Sequence, residues 1–208
     1  MSLPDLYLAS ASPRRCELLT QVGLTVQRVS QDVSEQRLGA ESPEIYVQRL
    51  ALEKARAGLA NLDETQLRPV LAADTAVVLG DEIFGKPADE TEALAMLRQL
   101  SARTHRVLSA VAVVGSANLG QDKDSLVKQA VAVNESRVCF RELSEAECRV
   151  YWQTGEPADK AGAYGIQGMA ALFIEHLEGS YSGVMGLPLF ETGELLRQFG
   201  IELLHEKQ

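Results

Sequence analysis

The chain has 208 residues, of which 46% are hydrophobic, and it carries three cysteines and a formal net charge of −9. The acidic balance disfavours nucleic acid or an anionic membrane as a partner, and no run approaches the ~20 apolar residues of a membrane span. The widely spaced cysteines exclude a C-x-x-C zinc site and disfavour a disulfide scaffold, so we expect a protein of the reducing cytoplasm.

The first predicted elements form a candidate phosphate site. Residues 6–9 are a short apolar strand, and Ser12 and Pro13 suit the N-cap and first position of a helix. Arg14 and Arg15 then occupy the first turn, where the helix dipole disfavours cations by roughly 0.3–1 kcal/mol each. A bound anion reverses that sign, because two guanidinium groups, free N–H groups and the dipole together favour phosphate. A solvated arginine pair is the competing interpretation.

The rest of the chain alternates between helix and strand signals, which is typical of an α/β fold. We expect one domain over residues 1–208, with its core at about 6–199, because no composition break demands a second. Residues 144–147 form a capping box, and the polar stretch 116–124 indicates a mobile connection. The predicted strands are 25–29, 69–73, 76–79, 82–84, 106–114, 129–140 and 172–177. The predicted helices are 13–22, 43–60 (with apolar positions Ile45, Leu52, Ala55 and Leu59), 89–100, 145–155 and 189–199.

Asp74 is the most suggestive acidic residue. It follows the apolar run 70–73, which predicts a buried strand with an acid at its end, and ligands favour the carboxyl ends of strands. A buried carboxylate must pair with a cation or bind a metal. Asp74 is therefore a candidate to deprotonate a water or to hold a cation. An aspartate that caps a turn through Thr75 is the alternative.

Three further residues are candidates for the same site. Glu35 lies in a polar loop and, together with Asp74, could hold a magnesium-like cation that phosphate oxygens complete; a solvated loop acid is the alternative. Lys54 flanks the apolar face of its predicted helix, where most lysines lie on the surface. Lys86 stands between Gly85 and Pro87 in a rigid turn, and it either contacts phosphate or faces solvent.

The glycine-rich stretch 159–168 contains Gln167, whose amide offers a donor and an acceptor to a pyrimidine edge. It could form the wall of a base pocket, and a bulge or tight turn is an equal alternative. The stretch does not match the G-x-x-x-x-G-K-S/T loop, which excludes a P-loop NTPase. The histidines, His105, His176 and His205, show no ligand spacing, so zinc is disfavoured.

Seven segments of the chain form a recognisable series of motifs. They are LASASPRR (8–15), residues 32–35, RLALEKA (49–55), AADT (72–75), GKP (85–87), DKAGAYGIQG (159–168) and VMGLP (184–188). Individually most of these motifs are weak, but their order and spacing are highly specific. Taken together, they resemble the Maf family of nucleoside triphosphate pyrophosphatases over about residues 6–199.

The resemblance implies an α/β fold similar to that of inosine triphosphatase, with a long twisted mixed sheet between helices and a deep cleft. It also implies a cytoplasmic homodimer that needs a divalent metal, Mg or Mn. The reaction would cleave a nucleoside triphosphate between its α- and β-phosphates, giving the nucleoside monophosphate and pyrophosphate. A nucleotide-sensing regulator of cell division with little turnover is the alternative function, and the acidic charge argues against a nucleic-acid binder.

Residue roles follow from the same resemblance. Asp74 would be the proton acceptor that activates water, and Asp74 and Glu35 would hold the metal. Arg14, Thr75 and Gln167 match the branch that prefers dTTP and UTP, with modified uridine triphosphates as further candidates. The sibling branch that acts on 7-methyl-GTP typically carries Trp, Gln and Glu there. The phosphate path would be lined by Ser10, Arg14, Arg15, Lys54 and Lys86.

Overall fold

The computed structural model describes residues 3–63, 68–116 and 127–204. Most of the polar stretch 116–124 therefore lies outside the described residues. The strands are β1 (Leu6–Leu8), β2 (Val26–Arg28), β3 (Val70–Leu79), β4 (Glu82–Phe84), β5 (Thr104–Ser116), β6 (Val127–Phe140) and β7 (Ile174–Glu178). The helices are α1 (Pro13–Gln21), α2 (Pro43–Ala60), α3 (Glu90–Leu100), α4 (Glu145–Gln153), α5 (Tyr181–Met185) and α6 (Leu189–Arg197). Short 3₁₀ turns occupy Glu156–Asp159, Ala161–Ala163 and Met169–Phe173.

The strands form one mixed sheet in the order β2-β1-β3-β5-β6-β7, with β4 paired to β3. Strand β1 runs parallel to β2 and β3, whereas the remaining pairs are antiparallel. Helices cover both faces of this sheet. The predicted α/β class with a long mixed sheet flanked by helices is confirmed.

A gap in the pairing of β3 positions the site. Strand β1 pairs with β3 only as far as Leu71, and β4 joins the same strand from Val77 onward. Between these two points, residues 72–76 have no ladder partner on that edge among the described strands. Asp74 and Thr75 lie at the centre of this gap.

The predicted end of a strand at residue 73 is wrong. Strand β3 continues through Asp74 and Thr75, because β5 pairs with it without interruption from Val70 to Val78. This long ladder overrides the local turn preference of an aspartate followed by a threonine. Asp74 therefore lies in the middle of a strand and not at its carboxyl end.

Helix α2 packs one face against β3 and β5. Its buried positions include Val47, Leu50, Ala51 and Lys54, a stripe with the three- and four-residue spacing of a helix face. Ile45, which the sequence placed on the apolar face, is 56% exposed. The true buried face is rotated relative to the predicted one, and this rotation brings Lys54 into the interior.

Two other packed groups complete the core. On the opposite face, α1, α5 and α6 pack against β1, β3 and β5 around Leu19, Leu196 and Phe199. Helices α3 and α4 pack with the glycine-rich segment around Phe140 and Tyr151. None of the helices within 3–63, 68–116 and 127–204 is both long enough and apolar enough to cross a bilayer.

Several local predictions are confirmed. Ser144 and Glu147 form the capping box of α4, and residues 80–81 make a two-residue hairpin turn between β3 and β4. Asp89 lies one position before the observed start of α3, as its N-cap. Strand β7 begins two residues later than predicted, because residues 169–173 form a 3₁₀ turn that leaves Leu172 70% exposed.

Candidate active site

A cleft of about 610 Å³ opens beside the gap in β3. Its walls come from the start of α1, the middle of β3, the end of β4, the segment 156–168 and the end of α5. All nine residues that the sequence singled out line it, so the structure brings them together. They are Ser10, Arg14, Arg15, Glu35, Lys54, Asp74, Thr75, Lys86 and Gln167.

A buried ammonium group joins the two candidate acids. Lys54 Nζ donates a hydrogen bond to Asp74 Oδ1 at 2.7 Å and another to Glu35 Oε1 at 2.5 Å. Lys54 is 5% exposed and Asp74 is 7% exposed, whereas the Glu35 side chain is 53% exposed. We call these three residues the ionic trio. The buried Asp74 carboxylate is therefore paired with a cation, as a low-dielectric site requires, and the trio keeps a net charge of −1 when both acids are ionised.

The two carboxylates differ in basicity. Burial raises the pKa of Asp74 above its ordinary value, although the charges of Lys54 and Arg15 oppose this shift. Burial also acts to raise the pKa of Glu35, but the hydrogen bond and charge of Lys54, aided by Lys86 and Arg15, lower it overall. Asp74 is therefore the better proton acceptor of the two, and Glu35 is the more permanent anion.

Arg15 connects three segments around the cleft. Its Nε donates to the carbonyl of Gly186 at 2.8 Å, its Nη1 to Ser10 Oγ at 3.1 Å and its Nη2 to Thr75 Oγ1 at 3.3 Å. Removal from water lowers the pKa of this guanidinium. Since a guanidinium has five N–H donors, Arg15 commits three to protein atoms and keeps two for a ligand. The sequence did not distinguish it from Arg14 in this respect.

Arg14 and Lys86 are the more accessible cations. Arg14 Nη1 lies 3.6 Å from Asp159 Oδ2, a loose pair in which the aspartate side chain is 64% exposed. Lys86 is exposed, and its ammonium makes no hydrogen bond or ion pair within the described part of the chain. Ser12 has the extended backbone of an N-cap, but its side chain accepts no hydrogen bond from the first turn of α1. These groups are placed to receive an anion.

Thr75 lies on the opposite face of the sheet from Asp74, because successive strand residues alternate. Its Oγ1 accepts from Arg15, lies 2.9 Å from Ser109 Oγ and donates to the Gly186 carbonyl at 3.4 Å. Thr75 therefore belongs to the Arg15 network and not to the ionic trio. Its hydroxyl is already engaged by protein atoms.

Gln167 lines the cleft from the glycine-rich segment. Its side chain is exposed and has no hydrogen-bond partner among the residues that the structure describes. A turn holds the surrounding backbone, in which Gly168 N donates to the Gly165 carbonyl at 3.1 Å. The predicted tight turn is therefore present and forms part of the cleft wall, and its role as the wall of a base pocket stays a prediction.

Sequence reasoning missed several cleft residues. Tyr46 lies two turns before Lys54 on the same face of α2, and its hydroxyl donates to the Glu35 carbonyl at 2.9 Å. The helical spacing was a signal that could have found it. Gln31 also lines the cleft, and its buried side-chain oxygen has no partner among the described residues. Nothing in the local sequence pattern marks Gln31.

The ionic trio supplies two of the ligands that a hard divalent cation prefers. No group of three or more His, Cys, Asp or Glu in residues 3–63, 68–116 and 127–204 could hold a metal alone. Asp74 and Glu35 nevertheless bind one common ammonium, so their oxygens are close enough to share a cation. Magnesium commonly uses one or two carboxylates together with substrate phosphates. The donor set fits a metal whose coordination a polyphosphate completes.

Comparison with known proteins gives a consistent result. The family model described as Maf-like protein matches residues 5–199. A protein of Alkalilimnicola ehrlichii named dTTP/UTP pyrophosphatase is 52% identical over 202 residues, covering 96% of this chain and 95% of that protein. Proteins with the same name from Saccharophagus degradans and Xanthomonas campestris pv. campestris are each 53% identical, over 95% and 94% of this chain and over 90% and 98% of their own lengths.

Among solved structures, the one titled "The structure of the Staphylococcus aureus Ham1 protein" matches with a TM-score of 0.38 and 15% identity, covering 62% of this chain and 70% of that one. The family assignment depends instead on the sequence match over 5–199 and on the relatives of 52–53% identity. The chain belongs to the Maf-like protein family.

Proposed function

We propose that this chain is a nucleoside triphosphate pyrophosphatase that hydrolyses dTTP and UTP to the nucleoside monophosphate and pyrophosphate. The observation that carries the proposal is the buried Asp74, with its raised pKa, in a cleft that also presents the accessible cations Arg14 and Lys86. The shared name of the relatives supports the same reaction. Modified uridine triphosphates fall within the same proposal.

In this reaction Asp74 accepts a proton from the attacking water. The water oxygen forms a bond to the α-phosphorus, the bond from that phosphorus to the α–β bridging oxygen breaks, and the bridging oxygen leaves with the pyrophosphate. Lys54 holds the Asp74 carboxylate in place, and Arg14 and Lys86 bind phosphate oxygens. Such transfers depend mainly on positioning and charge stabilisation, which a ring of fixed cations provides. Ser10, Lys54 and the two free N–H donors of Arg15 complete the proposed phosphate path.

Asp74 and Glu35 would hold the divalent cation, Mg or Mn, together with phosphate oxygens. When bound, this ion neutralises charge on the triphosphate and stabilises the transition state electrostatically. Chelation by EDTA should abolish pyrophosphate release, and added Mg or Mn should restore it. Full activity after exhaustive chelation would contradict the metal proposal.

Selectivity for dTTP and UTP is proposed to depend on Arg14, Thr75 and Gln167. Gln167 has a free amide that can pair with a pyrimidine edge, whereas Thr75 acts through its bond to Arg15. Gln167→Glu leaves a mismatched hydrogen-bond edge and should weaken the preference for these pyrimidines. A panel of dTTP, UTP, CTP and 7-methyl-GTP measures this, and an unchanged preference would count against the assignment.

We further propose that the chain is a single domain with its functional core at 6–199, and that it acts as a cytoplasmic homodimer. All three cysteines are free thiols, which suits a reducing compartment. Apolar side chains at the surface, Phe190 at 76% and Leu172 at 70% exposure, offer area for self-association. Light scattering after size exclusion tests the dimer, and a monomer at micromolar concentration would refute it.

The deciding experiment measures pyrophosphate release from dTTP and UTP with Mg or Mn. We expect turnover with both nucleotides. Nucleotide binding without release would favour the nucleotide-sensing regulator instead. A gel shift in physiological salt tests binding to nucleic acid, for which the net charge of −9 predicts none.

A further inference from the structure

The carboxylate of Glu156 joins the two ends of the segment 156–169, which carries Gln167. Glu156 Oε2 accepts a hydrogen bond from Met169 N at 2.9 Å, so the start of the segment binds directly to its end. The backbone carbonyl of Glu156 accepts a second bond from Lys160 Nζ at 2.6 Å. One residue thus joins both ends of the loop that passes along the cleft.

The second carboxylate oxygen of Glu156 engages Tyr151, from the last turn of α4. The Tyr151 hydroxyl donates to Glu156 Oε1 at 2.6 Å and accepts from Gly165 N at 3.2 Å. Burial raises the pKa of Tyr151, so the hydroxyl stays a donor across the physiological range. Its ring packs edge-on against Phe173, with centroids 5.0 Å apart. Tyr151 is therefore held both at its hydroxyl and at its ring.

Glycines let the loop approach these anchors closely. A Cβ on Gly168 would lie 2.0 Å from Glu156 Oε2, and a Cβ on Gly165 would lie 2.7 Å from the Lys160 side chain. Neither position has a positive φ, so a side chain there is opposed by space and not by backbone conformation. A Cβ on Gly168 would displace the hydrogen-bonded Glu156 carboxylate, whereas a Cβ on Gly165 would only require the Lys160 side chain to shift. The backbone at Gly168 therefore lies in direct contact with the Glu156 carboxylate, which also accepts the hydrogen bond from Met169 N.

Gln167 lies between the two anchored backbone N–H groups, those of Gly165 and Met169. Its own side chain has no hydrogen-bond partner among the described residues, so its placement depends on the backbone that carries it. Glu156 also lines the cleft but already uses both carboxylate oxygens within the protein. It is suited to hold the wall and not to bind the ligand.

We propose that Glu156 and Tyr151 are positioning residues for base selection, which fix the turn 165–169 so that the Gln167 amide meets the base at one distance and angle. This inference rests on the proposed function. It adds two residues that contact neither the base nor the phosphates. Selectivity for the base should depend on them while the chemistry at Asp74 does not.

The test compares Glu156→Ala, Glu156→Gln and Tyr151→Phe with the wild-type chain, using dTTP and dCTP in the presence of Mg. We expect Glu156→Ala and Tyr151→Phe each to lower the ratio of kcat/KM for dTTP over dCTP by about tenfold, since lost hydrogen-bond alignment weakens discrimination. The change should appear in KM for dTTP, with kcat within about threefold. Glu156→Gln retains an acceptor for Met169 N and should recover part of the ratio.

Three further measurements distinguish a positioning role of these residues from a nonspecific loss of structure or activity. Glu142→Gln, an exposed glutamate in the turn before α4, is the charge-matched control and should leave the ratio unchanged. The double variant Glu156→Ala with Tyr151→Phe loses the bonds to both Met169 N and Gly165 N, so its ratio should fall at least as far as that of either single variant. The combined effect should be smaller than the sum of the two single effects in free energy, because both single variants already lose the Tyr151–Glu156 bond. Binding of dTMP and dCMP without metal should show the same loss of discrimination, which gives a readout independent of turnover.

The outcomes distinguish this inference from the proposed function. If the wild-type chain releases no pyrophosphate from any nucleotide, the proposed function fails and this inference fails with it. If the wild-type chain prefers dTTP but folded Glu156 and Tyr151 variants keep that preference, or lose kcat equally for both nucleotides, the positioning role alone is overturned. Thermal unfolding identifies the folded variants, and Glu156→Gln remains informative if Tyr151→Phe does not fold.

Discussion

Two sets of residues in one cleft differ in how their charges and polar groups are satisfied. In the ionic trio, Lys54 pairs with both Asp74 and Glu35 at hydrogen-bonding distance, and the lysine and aspartate are almost fully buried. We call Arg14, Lys86 and Gln167 the open residues, because they have loose protein partners or none within the described chain. The contacts of the trio form without a ligand, whereas the open residues find close partners only in a bound ligand. Changes in the trio should therefore affect chemistry and folding, and changes in the open residues should affect binding.

The largest expected effect comes from Asp74→Asn. The amide is nearly isosteric but cannot accept the proton of the attacking water, so kcat should fall by about 10²–10⁴-fold, the usual contribution of a general base. Lys54 keeps Glu35 as a partner, so the free energy of unfolding should change by less than about 2 kcal/mol. Pyrophosphate release and urea unfolding measure the two quantities.

Asp81→Asn, in the exposed hairpin turn after β3, is the matched control for this variant. It removes the same charge at a site outside the cleft and should leave kcat unchanged. An Asp74→Asn protein with wild-type kcat would remove Asp74 from the role of base. Loss of folding would instead show that the trio is chiefly structural.

Lys54→Met tests the trio from its centre. The variant leaves the buried Asp74 carboxylate without its cation, which should cost about 3–5 kcal/mol of unfolding free energy when one partner of a buried pair is lost. The pKa of Asp74, already raised by burial, should rise further without Lys54, so the protein regains stability as the pH falls through that pKa. Urea unfolding at several pH values checks both effects.

The double variant Lys54→Met with Asp74→Asn is the internal control. Because no buried carboxylate then remains at residue 74, part of the lost stability should return. If Lys54→Met alone unfolds like the wild-type chain at neutral pH, the buried ion pair contributes little and the contrast between the two sets is wrong.

The ionic trio also shows what the sequence could and could not predict. Apolar periodicity and capping residues predicted most helices and strands, because these signals are local. The continuation of β3 through Asp74 depends on its ladder with β5, whose residues lie more than thirty positions away. The pairing of Lys54 with two acids depends on the rotation of α2, which the sequence misjudged at Ile45.

The open residues follow a different rule. The family motifs selected Arg14, Lys86 and Gln167, and the structure places them in the cleft. No local pattern separates Arg14 from Arg15, because the bonds of Arg15 to Thr75 and Gly186 form only in the folded chain. Motif recognition thus predicted which residues meet, while the division between preformed and ligand-dependent groups required tertiary contacts.

The free energy of unfolding should fall in acid because of the buried His105, which contacts Tyr164 of the glycine-rich segment. His105 is buried, with Nε2 2.8 Å from the Tyr164 hydroxyl, and burial lowers its pKa to about 4. The unfolded chain binds this proton near pH 6.5, so stability is fully present above that pH and is lost as the pH falls towards 4, by up to about 3 kcal/mol. Asp74 acts in the opposite direction, because its raised pKa favours the protonated folded state.

His105→Phe separates these opposing contributions. A phenyl ring can keep the edge-on contacts that His105 makes with Phe140 and Tyr164, at centroid distances of 5.0 and 5.4 Å. The free energy of unfolding of the variant should therefore no longer fall between pH 6.5 and 4 because of residue 105, although its value at neutral pH will differ from that of the wild-type chain. Urea unfolding across this range measures the slope, and a slope equal to that of the wild-type chain would show that His105 does not set it.

Lys86→Met should have the smallest effect and gives the sharpest contrast with Lys54→Met. Lys86 is exposed and has no hydrogen-bond or ion-pair partner in residues 3–63, 68–116 and 127–204, so its removal should change the free energy of unfolding by less than about 0.5 kcal/mol. It should raise KM for dTTP by about tenfold, because one charge-assisted contact to phosphate is lost, with a smaller change in kcat. Its charge also helps to keep Glu35 ionised, so the loss should grow as the pH falls. Lys128, a half-buried lysine on β6 that donates to the Gln198 carbonyl and lies over the Phe199 ring, provides a control outside the cleft as Lys128→Met, which should leave KM unchanged. If Lys86→Met lowers the free energy of unfolding as much as Lys54→Met does, both lysines stabilise the fold, and the distinction between preformed and ligand-dependent residues is wrong.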